Sequence, residues 1–478
     1  MADVLFGQSY FLSFDPKLWR LMQPYPPLGT LIAAAYVRER GFEVALFDAM
    51  LARNEEEWGA ALDRESPRFA VLYEDNFNYL SKMCLLRMRE AGLTMAGMGR
   101  DRGATVIVCG SDATDHADAY LAAGADYVLL GEGEETLGEL LDRLSGRGDG
   151  APEKVLGLAF RGGSGETVHN GRRPVLRDLD ALPFPTWDLV DTERYRSLWQ
   201  QHHGYYSMNM VTTRGCPYHC NWCAKPIWGQ TYNMRAPERV ADELAWLDSS
   251  YSPDHIWFAD DIFGLKLGWV EAFADALEER GVRVPFKCLS RVDLLLRDGE
   301  VEALRRAGAE TVWVGAESGS QKILDAMDKG TRVEQIHEAR ARLGEAGIRV
   351  GFFLQFGYPG EEEEDVESTR RMVRECLPDE IGMSVSYPLP GTDFHRMVRD
   401  QLGAKQNWVD SDDLDMMHAG TFTSDYYRQL YAVLHKDHRS RRLRRELAPW
   451  IRRPLRTGPP SLRELAALGD HSRSLPLA

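Results

Sequence analysis

The sequence predicts an α/β protein in which two series of βα units follow one another and a mostly helical region ends the chain. Three observations predict it. Five short β-rich runs alternate with helical stretches before residue 146, and six more do so between 208 and 395. Between the series lies a proline-bearing linker, and a cysteine-rich loop directly follows the first strand of the second series.

In the first series, residues 4–6, 42–47, 69–73, 104–108 and 126–130 read as strands, each bounded by Gly, Asp or polar residues. Helical periodicity marks 28–40, 54–65, 80–92, 115–123 and 134–144. Five βα units in succession imply a doubly wound parallel sheet over residues 1–146, whose ligands bind beyond the carboxyl ends of the strands.

Residues 147–200 break the alternation. Two β-rich runs, 155–160 and 166–168, flank the turn Arg161-Gly162-Gly163-Ser164-Gly165 and predict a hairpin. The stretch from Asp178 to Trp187, with Pro183 and Pro185, reads as an extended linker at a domain boundary.

From 201 to 395 the strands fall at 208–212, 256–259, 286–289, 311–314, 349–354 and 381–386. Helices fit 237–249, 268–280, 299–307, 333–346 and 362–376. Six such units suggest a partial (β/α)6 barrel with functional loops at the strand C-termini. Residues 396–478 are polar and helical in places. Their Trp408, Tyr426, Tyr427 and Tyr431 suit either a core or a cap on the substrate side.

Composition narrows the function. The formal charge of −16 argues against a general nucleic-acid binder, since phosphate neutralisation needs basic surface. The local run His438 to Arg445 reads best as a solvated helix face. No basic, long apolar leader opens the chain, and no apolar run is long enough to span a bilayer, so a cytoplasmic location is expected. Seven cysteines, three of them clustered, suit a metal site in a reducing compartment better than a disulfide framework.

Those three, Cys216, Cys220 and Cys223, stand at CxxxCxxC spacing in Arg214-Gly215-Cys216-Pro217-Tyr218-His219-Cys220-Asn221-Trp222-Cys223. Thiolates in so short a loop can converge on one cluster. The other cysteines (Cys84, Cys109, Cys288, Cys376) are scattered. Spacing alone leaves a zinc loop with His219 as fourth ligand open, although zinc sites usually pair their ligands as CxxC or HxxxH.

With an aromatic Trp222 before its last cysteine, this loop resembles that of the radical SAM superfamily, which uses S-adenosylmethionine (SAM). The resemblance implies a 4Fe-4S cluster on Cys216, Cys220 and Cys223, its fourth iron open to SAM, and reductive cleavage to a 5′-deoxyadenosyl radical. Later segments resemble the superfamily in order. Asp260-Asp261-Ile262-Phe263 ends the second strand, and the resemblance implies Asp260 as a SAM contact; an isolated pair of acids would be a solvated turn. Arg291, in Ser290-Arg291-Val292-Asp293, becomes a partner for the SAM carboxylate, with an ion pair to Asp293 or Glu302 as the plainer reading. Gly315-Ala316-Glu317-Ser318-Gly319 resembles the ribose motif and implies Gly315, Glu317 and Ser318 as SAM contacts. Gly357, after the fifth strand, and Pro390 and Gly391, after the sixth, complete the implied SAM set with Trp222. No catalytic residue is assigned beyond the cluster and cofactors.

The first series resembles the flavodoxin-like cobalamin-binding domain often fused before such a barrel. Pro24 to Leu31, the Gly131-Glu132-Gly133-Glu134 turn and the linker from Leu179 to Asp188 carry the likeness. It implies cobalamin contacts at Pro27, Leu28, Gly29, Gly110, Ser111, Gly131, Glu132, Gly133 and Glu134. The chain departs from relatives in lacking DxHxxG and in placing Asp112 where they often have histidine, so no axial histidine on cobalt is expected.

The resemblance thus implies a cobalamin-dependent radical SAM methyltransferase acting on an unactivated carbon of a small molecule, with a flavodoxin- or ferredoxin-type reductant. A cyclase or rearrangement enzyme with the same cofactors is the alternative. A non-catalytic SAM- or cobalamin-binding regulator is another, and an enzyme acting on RNA through the basic run a third.

Overall fold

The computed structural model describes residues 2–82, 85–405 and 407–451; Cys84 and the chain beyond 451 lie outside the described residues. The first sheet holds β1 (Val4–Gly7), β2 (Val44–Leu46), β3 (Phe69–Tyr73), β4 (Thr105–Cys109), β5 (Tyr127–Leu129), β6 (Leu158–Arg161) and β7 (Thr167–His169). Its order is β2-β1-β3-β4-β5-β6-β7. The first five strands are parallel, and the expected hairpin extends the sheet beyond β5 with two antiparallel strands, of which β7 is the edge. The sheet is therefore mixed, and β1, β3 and β4 are almost wholly buried and apolar, as a sheet covered on both faces requires. The order reverses beside β1, which places the binding crevice at the carboxyl ends of β1 and β3.

The second unit begins with β8 (Ser207–Met210). A short ribbon follows, β9 (Thr213–Arg214) paired with β10 (Asn233–Met234). Then come β11 (His255–Phe258), β12 (Phe286–Ser290), β13 (Ala309–Glu317), β14 (Arg349–Phe356) and β15 (Glu380–Val385). β8 and β11–β15 form one parallel six-stranded sheet in the order β15-β14-β13-β12-β11-β8. Helices between consecutive strands make it a partial barrel.

Differences from the expected elements have identifiable causes. The helix expected over 80–92 is two, Tyr79–Lys82 and Leu86–Asp101, the second running on to Asp101 because Leu93, Met95, Ala96 and Met98 still favour helix. Thr192–His203 is helical inside the linker, capped by the Asp191 carboxylate on the Arg194 N–H. Its Tyr195 and Trp199 are buried, so tertiary packing rather than a polar, low-amphipathicity sequence stabilises it.

One hydrophobic cluster runs from Leu28, Leu31 and Phe77 through Trp187 and Trp199 to Met208, Phe258 and Val312 of the barrel. The Pro24–Pro27 segment is clamped to the barrel. Trp199 Nε1 donates to the Pro24 carbonyl (2.7 Å), Asn209 Nδ2 donates to that of Pro26 (3.0 Å), and Tyr25 OH meets Ser207 Oγ (2.9 Å). The two sheets are thus fused through a shared core. Among the described residues no helix is long and apolar enough to cross a membrane.

At the C-terminus the helix Ser424–Ile451 lies along the helix Glu363–Cys376, where Arg374 pairs with Asp437 (2.9 Å). The basic run is a helix face. His438 Nε2 meets the Pro378 carbonyl, Arg441 pairs with Asp437 and Arg442 with Glu446, while Arg439, Arg444 and Arg445 are exposed.

Candidate cluster and cofactor site

The cysteine loop is held from below. The β9–β10 ribbon ties its two ends together, and Asp260, just past β11, fixes its approach. Asp260 accepts from the Thr212 N–H (2.8 Å), Thr212 Oγ1 (3.0 Å), the Thr213 N–H (2.6 Å) and Thr213 Oγ1 (2.9 Å). Burial pushes its carboxyl up to about 6 against the pull of these bonds. Gly215 has φ 85°, and a Cβ there would fall 2.4 Å from the Thr231 carbonyl oxygen, so only glycine fits.

Above this base Cys216, Cys220 and Cys223 are partly exposed, free of disulfides, and all line one cavity of about 330 Å³. Asn221 pins the loop between them. Its N–H donates to the Met327 carbonyl (3.1 Å) and its Nδ2 to that of Ala326 (2.7 Å). Its Oδ1 accepts from Tyr358 OH (2.9 Å) and its carbonyl from the Phe394 N–H (2.9 Å). Trp222 packs on Ile323, Met327, Tyr358 and Phe394, and its buried indole N–H has no hydrogen-bond partner.

Burial pushes the Cys223 thiol up to about 12 and raises that of Cys216. A bound metal reverses this, because a coordinating thiol is deprotonated outright. His219 is exposed and does not line the cavity, which leaves the zinc reading without its fourth ligand. Among the described residues no three His, Cys, Asp or Glu side chains could hold one metal ion. A cubane instead takes each thiolate on a different iron, so three thiols facing one cavity fit a cluster.

The residues expected around SAM divide into two groups. Trp222, Arg291, Gly315 and Glu317 line the cavity. Glu317 stands in the left-handed region (φ 56°) where the pairing of β13 with β14 shifts register, and its Oε1 accepts from Lys329 Nζ at 2.7 Å. Burial opposes the Lys329 ammonium, yet Glu317 and Cys220 outweigh it and raise its pKa. A Cβ on Gly315 would fall 2.5 Å from Lys329 Nζ, so the glycine makes room for the pair. Arg291 makes the ion pair to Asp293 (3.0 Å), donates to the Lys329 carbonyl (3.0 Å) and stacks over the Tyr218 ring (3.6 Å).

Asp260, Ser318, Gly357, Pro390 and Gly391 do not line the cavity. Asp260 is spent on the threonines, and its neighbour Asp261 lines the cavity instead. Ser318 Oγ meets Thr369 Oγ1 (3.1 Å) and accepts from the Ser320 N–H (3.1 Å). Gly357 donates to Glu361 Oε2 (2.8 Å) and its carbonyl meets His418 Nε2 (3.1 Å), beneath Met416 and Tyr427. After β15 the lining residues are Tyr387 and Leu389 rather than the Pro390-Gly391 turn.

On the N-terminal side, only Ser111 of the nine expected cobalamin contacts lines this cavity, joined there by Asn78 and Tyr79. The buried Ser111 Oγ has no hydrogen-bond partner, which fits a polar ligand at the carboxyl end of β4. At Gly110 and Gly133 the protein's own packing leaves no room for a side chain. A Cβ would fall 2.7 Å from Glu74 Cγ at the first and 2.5 Å from Cys109 Sγ at the second. Gly29 donates its N–H to Asp75 (3.0 Å), and Pro27 and Leu28 sit in the clamp to the barrel. Gly131 (φ 83°) starts the turn whose Glu132 and Glu134 grip Arg214 (2.5 and 2.7 Å). Asp112 is buried and engaged by Arg89 on both oxygens and by Tyr120 OH (2.8 Å).

Residues that sequence reasoning missed include Lys329, Tyr218, Lys225, Trp257, Trp313 and Phe353, all lining the cavity. A period-2 reading of β13 and β14 would have put Trp313 with Gly315, and Phe353 with Gln355, on the inward face. Nothing local marks Lys329.

Residues 210–373 match the model of the radical SAM superfamily. Among curated proteins, an uncharacterised methyltransferase of Pyrococcus horikoshii is 29% identical over 310 residues, 64% of this chain and 65% of that protein. An anaerobic magnesium-protoporphyrin IX monomethyl ester cyclase of Rubrivivax gelatinosus is 28% identical over 58% of this chain and 50% of its own length. The hopanoid C-3 methylase of Methylococcus capsulatus is 27% identical over 86% of this chain and 77% of that protein. The chain therefore spans under two thirds of the first two. Of solved structures, the radical SAM methyltransferase TsrM from Kitasatospora setae, with cobalamin and a [4Fe-4S] cluster bound, aligns over 84% of this chain and 78% of its own (TM-score 0.66, 19% identity). The cobalamin-dependent SAM radical enzyme OxsB aligns over 99% and 75% (TM-score 0.69, 17% identity). At such identities these two show a shared fold.

Proposed function

The barrel of this chain belongs to the radical SAM superfamily, and from that premise we propose that the protein is a cobalamin-dependent radical SAM methyltransferase acting on an unactivated carbon. One observation carries the reading: the three cysteines and the carboxyl-end loops of the N-terminal sheet, through Asn78, Tyr79 and Ser111, open onto the same cavity. A cluster on the cysteines with SAM on its open iron would supply the hydrogen-abstracting radical, and cobalamin would supply the methyl group.

The chain's own part is positioning and exclusion of water. Asp260, Asn221 and the ribbon hold the three thiols in one loop, as a pre-organised site requires. The Lys329–Glu317 pair and Arg291 set fixed charges beside the cysteines, where they can orient the amino and carboxylate groups of SAM. The methyltransferase and the methylase among the relatives support methyl transfer. The cyclase supports the second reading, oxidative ring closure without methylation.

Anaerobically reconstituted protein should hold about four iron per chain and stoichiometric cobalamin. With a flavodoxin- or ferredoxin-type reductant it should form 5′-deoxyadenosine and S-adenosylhomocysteine together. 5′-Deoxyadenosine without S-adenosylhomocysteine would favour the cyclase reading, and neither product would leave a binding protein. Cys216→Ala, Cys220→Ala and Cys223→Ala should each lose the iron and its brown absorbance.

A further inference from the structure

The barrel strands line the cavity with Trp257, Leu289, Trp313, Phe353 and Met383. Along β13, Trp313 precedes Glu317 by four residues, which at strand rise places it about 13 Å below the cofactor charges. Trp313 and Phe353 meet at 4.6 Å between ring centroids, 33° apart, and make an aromatic floor. The floor is built in, because a Cβ on Gly351 would fall 2.3 Å from the Trp313 ring. Trp313 thus lies flat across a strand position that only glycine allows.

Among the described residues, the charged side chains that line the cavity are engaged by the protein itself. The cations that line it among the described residues are Lys225, Arg291 and Lys329, all at the cluster end, and each is engaged there. In the row of the floor the Glu380 carboxylate pairs with Arg349 (2.6 Å), and elsewhere on the lining Asp413 pairs with Lys405 (2.5 Å). Neither Arg349 nor Lys405 lines the cavity. A phosphate or carboxylate on the floor would find no lining cation there among the described residues, since Lys287, 5.1 Å from the Trp257 ring, lies outside the lining too, and the anion's desolvation would be costly.

We propose that the substrate is an uncharged, ring-bearing hydrophobic molecule whose body lies on the Trp313–Phe353 floor, with the reacting carbon toward the cysteines. This rests on the radical SAM reading of the same cavity. Aromatic side chains prefer offset or tilted contacts with flat or ring-shaped apolar bodies, and burial of that surface supplies the affinity.

Reconstituted holoenzyme is titrated with the fluorescent tetracyclic sterol dehydroergosterol, followed by energy transfer from tryptophan, with cytidine monophosphate as an anionic competitor. Saturable sterol binding is expected, unaffected by millimolar-range nucleotide, with Kd raised about tenfold in Phe353→Ala. A second variant, Met383→Ala, should weaken the sterol as well, while both variants keep their circular dichroism and iron. Absence of saturable sterol binding, displacement by the nucleotide, or an unchanged Kd in both variants would overturn the proposal. Iron content and 5′-deoxyadenosine formation in the same preparation report on the radical SAM reading separately from the sterol.

Discussion

Arg214 Nη2 donates to Glu134 Oε1 at 2.7 Å across the boundary between the two sheets, two residues before the first cysteine of the cluster loop. Both side chains are under 5% exposed, and Glu132 takes the other arm of the guanidinium. The glycine–glutamate turn of the N-terminal unit is thereby a clamp on the root of the cluster loop.

Arg214→Met should therefore cost about 3–5 kcal/mol, because it strands two buried carboxylates. Chemical denaturation measures the loss, and iron content should fall with it. The triple change Arg214→Met, Glu132→Gln, Glu134→Gln should recover part of the stability, since it removes the stranded charges as well.

The two adjacent acids after β11 should separate. Asp260→Ala removes the acceptor of four hydrogen bonds and should destabilise by about 2–4 kcal/mol. Asp261→Asn, at the cavity wall, should leave the melting temperature within a degree or two and alter SAM turnover instead. Equal loss of stability in both would contradict the assignment.

Glu361 predicts a pH dependence. Burial pushes its carboxyl up to about 7, against the Gly357 N–H and Tyr427 OH that it accepts from. A folded-state pKa above the unfolded one stabilises below the unfolded value and loses that stability as pH rises through the folded value. Glu361→Gln keeps an acceptor without the charge. Its stability relative to the parent should improve between pH 5 and 8 by at most about 3 kcal/mol, read by urea denaturation at both pH values.

Gly351→Ala should drive Trp313 off its seat, because the new methyl carbon would sit 2.3–2.6 Å from the ring atoms. Overpacking of this kind costs about 1–3 kcal/mol. A changed tryptophan emission maximum with the secondary structure intact is the expected signature.

Lys329→Met should destabilise more than Lys329→Met with Glu317→Gln, because the single change leaves a buried carboxylate alone. A double-mutant cycle on denaturation measures the coupling.

Most elements were legible because strand and helix periodicities are local. The boundaries of β3, β14 and the helix Glu134–Leu144 fell within two residues of expectation. The helix Thr192–His203 was not legible, since its stability comes from burying Tyr195 and Trp199 against segments far along the chain. The glycine motifs were legible, but the protein neighbours that require glycine there were not. Gly110, Gly133 and Gly357 accommodate Glu74, Cys109 and Met416, whose proximity no local pattern encodes.

By itself the sequence determined that three thiols stand in one short loop after a strand, because covalent spacing alone keeps them together. It also determined the two series of βα units, since alternation of apolar runs is a property of neighbours. Only the tertiary structure decided which of Asp260 and Asp261 faces the cavity, that Glu132 and Glu134 hold Arg214, and that Lys329 joins Glu317. Those outcomes depend on which side chains are buried together, and burial is settled by packing between segments that the chain separates by as many as 82 residues.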